Sequence, residues 1–289
     1  MRPAPPTTLG SVSDTTAATE PIRVLLVGDV VGSPGRRSFG RLLPGLRREF
    51  SIDLVVVNAE NSHDGRGVTL RTARELRDAG ADILTAGNHV WDQADVEQVL
   101  YDDDLRLVRP LNMAPDAPGE GAITLRVRNR DITVLNLIGR VFLPPMDDPF
   151  RAADTFLANL PAPRAGEGDR PIVVVDFHAE ATSEKQAMGW HLSGRASVVV
   201  GTHTHVPSAD PRILPGGTGY VTDLGMVGPR DSIIGMEVDA SLRRFLSYRG
   251  SRLGVADGPV VFNAVLAEID PVSAHCRQIA RVDRLDESR

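Results

Sequence analysis

Short apolar runs rich in valine, isoleucine and leucine recur along the chain, and each stops at glycine or polar residues. The first, Ile22-Arg23-Val24-Leu25-Leu26-Val27, leads into Gly28-Asp29. Leu54-Val55-Val56-Val57 leads into Asn58-Ala59-Glu60-Asn61, and Ile83-Leu84-Thr85-Ala86 into Gly87-Asn88-His89. Ile172-Val173-Val174-Val175 ends at Asp176-Phe177-His178, and Val198-Val199-Val200 at Gly201-Thr202-His203-Thr204-His205. Near-continuous apolar runs of this length predict strands covered on both faces, as in parallel sheets flanked by helices.

Between the runs, spacings of three and four predict helices. Phe39, Leu42, Leu43, Leu46 and Phe50 share one face, although Pro44 lies inside and should kink that helix or delay its start. Leu70, Ala73, Leu76 and Ala79 mark a second, with Gly80 placed to end it. Asp92 is the candidate cap of a third that carries Val96, Val99 and Leu100. Phe150, Ala153, Phe156, Leu157 and Leu160 form a fourth, and Thr182 is placed to cap a fifth with Lys185 on its polar side. Ile123, Leu125 and Val127 alternate with polar residues before a turn at Asn129-Arg130-Asp131 and a return over 132–137. Such a hairpin inside a β-α series predicts a second sheet. Residues 102–121 read as a connector, and 220–222, 260–269 and 279–282 as further β structure, so the fold class is α/β.

The ends of the five runs carry the chemistry. Asp29, Glu60 with Asn61, Asn88 with His89, His178, and His203 with His205 all follow an apolar run directly. The carboxyl edge of an open α/β sheet is where such proteins bind ligands. Imidazoles suit zinc, iron, nickel or copper better than magnesium or calcium. With His89 set aside, two acids, two amides and three imidazoles are too many for one four-coordinate ion, and they suit two ions about 3.5–4 Å apart sharing a carboxylate and a hydroxide. The glycines of Gly28-Asp29-Val30-Val31-Gly32-Ser33-Pro34-Gly35 lack the spacing of a dinucleotide loop.

These blocks resemble the calcineurin-like metallophosphoesterase superfamily. The closer resemblance is to its YmdB-like branch, at Gly28-Asp29-Val30-Val31-Gly32, Asn58-Ala59-Glu60-Asn61, Gly87-Asn88-His89-Val90-Trp91-Asp92, Asp176-Phe177-His178-Ala179-Glu180 and Thr222-Asp223-Leu224-Gly225-Met226. The likeness extends from about Ile22 to Asp283. It implies a layered α/β-β/α sandwich in which two mixed β-sheets lie between helices. It also implies 2′,3′-cyclic nucleotide phosphodiesterase activity at a dinuclear centre. Carried over, Asp29, Asn61 and His205 hold one ion, Asn88, His178 and His203 the other, and Glu60 bridges. The wider superfamily has histidine where Val31 stands and aspartate where Glu60 stands, so Asn61 substitutes for the missing imidazole. An oxygen donor there favours iron first and manganese next over zinc or copper.

His89 follows a ligand without having to be one. It is the candidate catalytic residue, as general acid or charge stabiliser at the departing oxygen after attack by the bridging hydroxide. His63 lies in a glycine-rich loop, and His191 and His275 lack any such context. Two other uses of the centre stay open: a phosphomonoesterase or nuclease of the same superfamily, and a non-catalytic metal-dependent regulatory or nucleotide-sensing protein.

Composition limits the rest. With 289 residues, 42% of them hydrophobic, the chain can bury a large core. The clusters from Asp29 to His205 would be split by an internal boundary, so 21–285 is expected to be a single domain. Residues 1–20, rich in Pro, Thr, Ser and Ala, are expected to form a disordered tail. A net charge of −6 supplies no chain-wide cationic field, so long RNA would need a local basic groove; the expected partner is a small cyclic nucleotide or another phosphodiester. Arginine provides 31 of 32 basic residues and Lys185 the other, a bias of composition rather than of chemistry. Cys276 is the sole cysteine, which rules out an intrachain disulfide and a thiolate zinc site and fits a reducing cytoplasm. No uncharged apolar stretch approaches membrane-spanning length, and apolar surface in the β-rich last third could serve a homo-oligomer.

Overall fold

The computed structural model describes residues 20–166, 168, 170–248 and 253–288; the expected tail over 1–20 falls almost wholly outside them. The first half runs β1 (Ile22–Val27), β2 (Asp29–Val30), α1 (Gly32–Phe50), β3 (Leu54–Asn58), α2 (Leu70–Asp78), β4 (Ile83–Thr85), α3 (Val96–Leu100), β5 (Leu107–Val108), β6 (Ala122–Val127) and β7 (Arg130–Ile138). The second half runs α4 (Pro149–Ala158), β8 (Ile172–His178), α5 (Thr182–His191), β9 (Val198–Thr202), β10 (Arg212–Ile213), β11 (Gly219–Val221), β12 (Met226–Pro229), α6 (Val238–Ser247), β13 (Val260–Phe262), β14 (Ala264–Ile269), β15 (Cys276–Arg281) and β16 (Arg284–Asp286).

Two six-stranded mixed sheets, ordered β15-β14-β1-β3-β4-β5 and β10-β11-β9-β8-β7-β6, pack face to face. The period-two alternation of a strand explains why the runs are apolar throughout. In β1, Val24 and Leu26 enter the core between the sheets with Val134, Val174 and Val200. Leu25 and Val27 enter the core beneath α1 and α2, with Phe39, Leu43 and Leu76. On the far side, Val173, Val175 and Val199 meet Ala153 of α4 and Met188 of α5. The layers are therefore helix, sheet, sheet, helix. Among the described residues no helix is long and apolar enough to cross a membrane.

A third sheet, β16-β13-β12-β2, is not expected from the sequence, because its strands are only two to four residues long. It seats Asp29, which pairs with Met226 of β12.

Three local expectations need correction. Helix α1 begins at Gly32 and passes through Pro44 without a break, since Pro44 stands on the exposed face, where water can serve the carbonyl that loses its partner. Asp92 does not cap α3; Asp95 holds that position and its carboxylate instead accepts from the Leu70 amide of α2. The N-cap of α5 is Ala181 rather than Thr182, and Lys185 is 1% exposed, drawn inward by an ion pair with Asp223.

Candidate metal centre

The parallel strands of the two large sheets end at one shared edge, where polar side chains cross between the sheets. Asn58 at the end of β3 donates to Asp176 Oδ2 at 3.1 Å, and the Thr202 hydroxyl at the end of β9 donates to Asp176 Oδ1 at 2.7 Å. Asn58, Asp176 and Thr202 are all buried, so the network both satisfies itself and aligns the strand ends that carry the expected donors.

Two groups of donors stand there. In the first, His178 Nε2 lies 2.9 Å from Glu60 Oε1, 3.1 Å from Asn88 Oδ1 and 3.0 Å from His203 Nδ1, with the two rings at 76°. Donors bound to one ion at ~2.1 Å stand ~3.0–3.4 Å apart, which is the spacing found. In the second, His205 Nε2 lies 3.3 Å from Asn61 Oδ1 and 3.8 Å from Asp29 Oδ1. That Asp29 oxygen is fully buried without a hydrogen-bond partner among the described residues, as expected of an atom meant for a cation. A Cβ on Gly87 would lie 2.2 Å from Glu60 Oε2 and 2.4 Å from His178 Nε2, so only glycine leaves the first group its space. The donor sets therefore fit two metal ions.

The outer nitrogen of each histidine is also held. His178 Nδ1 is 3.0 Å from the Thr202 hydroxyl, itself bound to Asp176. His203 Nε2 is 3.0 Å from Glu180 Oε2, and His205 Nδ1 is 2.8 Å from the Ile234 carbonyl. These partners fix the tautomers, turning Nε2 of His178 and His205 and Nδ1 of His203 inward. His203 and His205 both have positive φ, 99° and 63°, an uncommon backbone state for histidine.

Without a metal the charges compensate one another. Burial pulls the His178 pKa down, but the charge and hydrogen bond of Glu60, with Asp29 and Asp176, override it and raise the pKa to about 9. Burial pushes Glu60 up, yet its contact with His178 brings it to about 2. Burial and the neighbouring His178 charge lower His203 to about 3, and burial raises Asp29 to about 6. A proton on His178 thus occupies the electrostatic role of a cation.

His89 sits beside this cluster with its backbone N–H 3.2 Å from Glu60 Oε2. Its Nδ1 lies 2.8 Å from Asp92 Oδ2, and Arg66 also donates to that carboxylate. His191 pairs with Asp154 on α4, and His63 and His275 have no contact with the donors among those described. Sequence reasoning assigns no role to Glu180, Asp176 and Asp223, although all three stand in the blocks that carry the family resemblance. Asp92, the expected helix cap, belongs to the site instead.

Residues 25–282 match the family described as YmdB-like protein. A 2′,3′-cyclic-nucleotide 2′-phosphodiesterase of Bacillus subtilis strain 168 is 43% identical over 261 residues, covering 90% of this chain and 96% of that protein. Among solved structures, a hypothetical protein from Thermus thermophilus is 41% identical with a TM-score of 0.85, covering 92% of this chain and 100% of that one. A novel phosphatase of Mycoplasma pneumoniae has 33% identity and a TM-score of 0.85, covering 93% and 95%.

Proposed function

The chain belongs to the YmdB-like family, and from that premise we propose that it is a metal-dependent phosphodiesterase that opens 2′,3′-cyclic nucleotides. The observation that carries this reading is the arrangement of seven donors in two groups, each with its histidine tautomers held from outside. Asp29, Asn61 and His205 would hold one ion and Asn88, His178 and His203 the other, with Glu60 between them. Iron is the expected native metal and manganese the next.

When bound, such a pair neutralises phosphoryl oxygens and supplies a nucleophile by lowering the pKa of water. The chain's own part is placement and proton transfer. Asp92 holds Nδ1 of His89, which leaves Nε2 to protonate or stabilise the departing ribose oxygen. Water adds to phosphorus, the bond to O2′ breaks, and the nucleoside 3′-phosphate remains. The unit responsible is residues 21–285 as one domain. Its expected compartment is the cytoplasm, in keeping with a lone, buried free thiol at Cys276.

The test gives purified protein, loaded with manganese or iron, 2′,3′-cyclic AMP, a linear diester and an aryl monoester. Release of 3′-AMP with little monoester turnover is the expected result. Preference for the monoester would favour a phosphomonoesterase. No turnover of any of the three with two ions bound per chain would leave a sensing or regulatory protein.

A further inference from the structure

The block Thr222-Asp223-Leu224-Gly225-Met226 supplies none of the seven donors, yet it lies directly beneath them. Asp223 is 2% exposed, and its carboxylate gathers four donors. Oδ2 accepts from Lys185 Nζ at 2.6 Å, from the Thr204 hydroxyl at 2.7 Å and from the Thr204 amide at 3.3 Å, while Oδ1 accepts from the Gly225 amide at 2.8 Å.

Three of the four contacts lead to metal donors. Thr204 stands between His203 and His205, the two histidines at positive φ, where a chain left to itself would relax toward ordinary backbone angles. Gly225 returns its carbonyl to the Asp29 amide at 3.1 Å, and a Cβ on Gly28 would come within 2.0 Å of that oxygen. One carboxylate therefore grips both the histidine loop and the turn on which Asp29 rests. Lys185, the only lysine of the chain, is 1% exposed and pairs with this carboxylate at 2.6 Å, so neither group is buried without a partner.

We propose that Asp223, neutralised by Lys185, is a positioning residue that holds His203 and His205 in their strained backbone state and keeps Asp29 in register with them. The inference rests on the metal-centre reading above. An apolar pair would fill the same volume at lower desolvation cost, but it could not grip Thr204 and Gly225 through hydrogen bonds.

Thr204→Val tests it with least disturbance, because the shape is kept and only the hydroxyl bond to Asp223 is lost. Manganese binding is titrated for the wild-type chain, Thr204→Val, Thr204→Ser and the double variant Asp223→Leu with Lys185→Met, alongside the melting temperature of each metal-free protein. Thr204→Val should weaken manganese binding about tenfold with little change in metal-free melting, and Thr204→Ser should restore it. The double variant, if it folds, should lose more than Thr204→Val. Wild-type affinity in Thr204→Val overturns the proposal while leaving the metal centre intact. A wild-type chain that takes up no manganese overturns the metal-centre reading and the proposal with it.

Discussion

Asp92 Oδ2 lies 2.8 Å from His89 Nδ1, three residues back along the same turn, and Arg66 Nε donates to that same oxygen while standing 3.2 Å from the His89 nitrogen. The pair is built as an oriented imidazole rather than as a helix cap. His89→Ala should therefore lower kcat about 10²–10⁴-fold with two ions still bound, and Asp92→Asn about tenfold. Steady-state kinetics with metal analysis of the same samples checks both. Loss of metal in His89→Ala would assign the residue to the metal shell instead.

Asp29 offers a trade between stability and binding. Burial raises its pKa from 3.8 to about 6, so above that pH the folded metal-free protein carries a carboxylate it disfavours. Asp29→Asn should stabilise the metal-free chain by about 1–3 kcal/mol above pH 6 while weakening the second ion site and abolishing turnover. Thermal melting in chelator reads the first effect and metal stoichiometry the second. A lower melting temperature would mean that the carboxylate serves the fold.

The raised pKa of His178 makes metal-free stability depend on pH in a definite direction. Its folded-state value, about 9, exceeds the ordinary 6.5, so the stabilisation is fully present below about pH 6.5 and is lost as pH rises through 9. In chelator, the melting temperature should fall across that interval, whereas the manganese-loaded chain should lack this slope. Uptake of manganese near neutral pH should also release protons, measurable by calorimetry in buffers of different ionisation enthalpy. A flat metal-free profile would contradict the assignment.

Gly87→Ala should disable the centre without touching a donor. The new methyl would fall among Glu60 Oε2 and the His178 ring, forcing the carboxylate aside. Metal affinity should drop at least tenfold, at a stability cost of about 1–3 kcal/mol. Manganese titration and melting curves report the two, and unchanged binding would show that the cradle is looser than its geometry implies.

Much of the site is legible in the sequence because strand ends and ligand chemistry are local properties. A valine-rich run that stops at Asn-Ala-Glu-Asn or Gly-Thr-His-Thr-His displays both the strand and its donors within ten residues. The role of Asp92 is hidden because an acid shortly before an apolar spacing looks like a cap, and only the turn at Val90–Asp92 brings it back to His89. The burial of Lys185 is hidden because a lysine is normally solvated; its partner is 38 residues away. The third sheet is hidden because strands this short carry no period; β13 alone falls in a stretch read as β, and nothing local separates it from β14.

From its sequence alone this protein shows where its principal strands lie, which residues stand at their ends and what chemistry those residues suit. Periodicity and side-chain type are written within a few positions of one another. Tertiary structure alone decided which ring nitrogens face inward, that Glu60 and His178 stand 2.9 Å apart as partners, and that Asp223 underpins both Asp29 and the histidine loop. Those facts depend on how two sheets align across a buried interface, joining groups such as Asn58 and Asp176 that are 118 residues apart, and no local pattern encodes such an alignment.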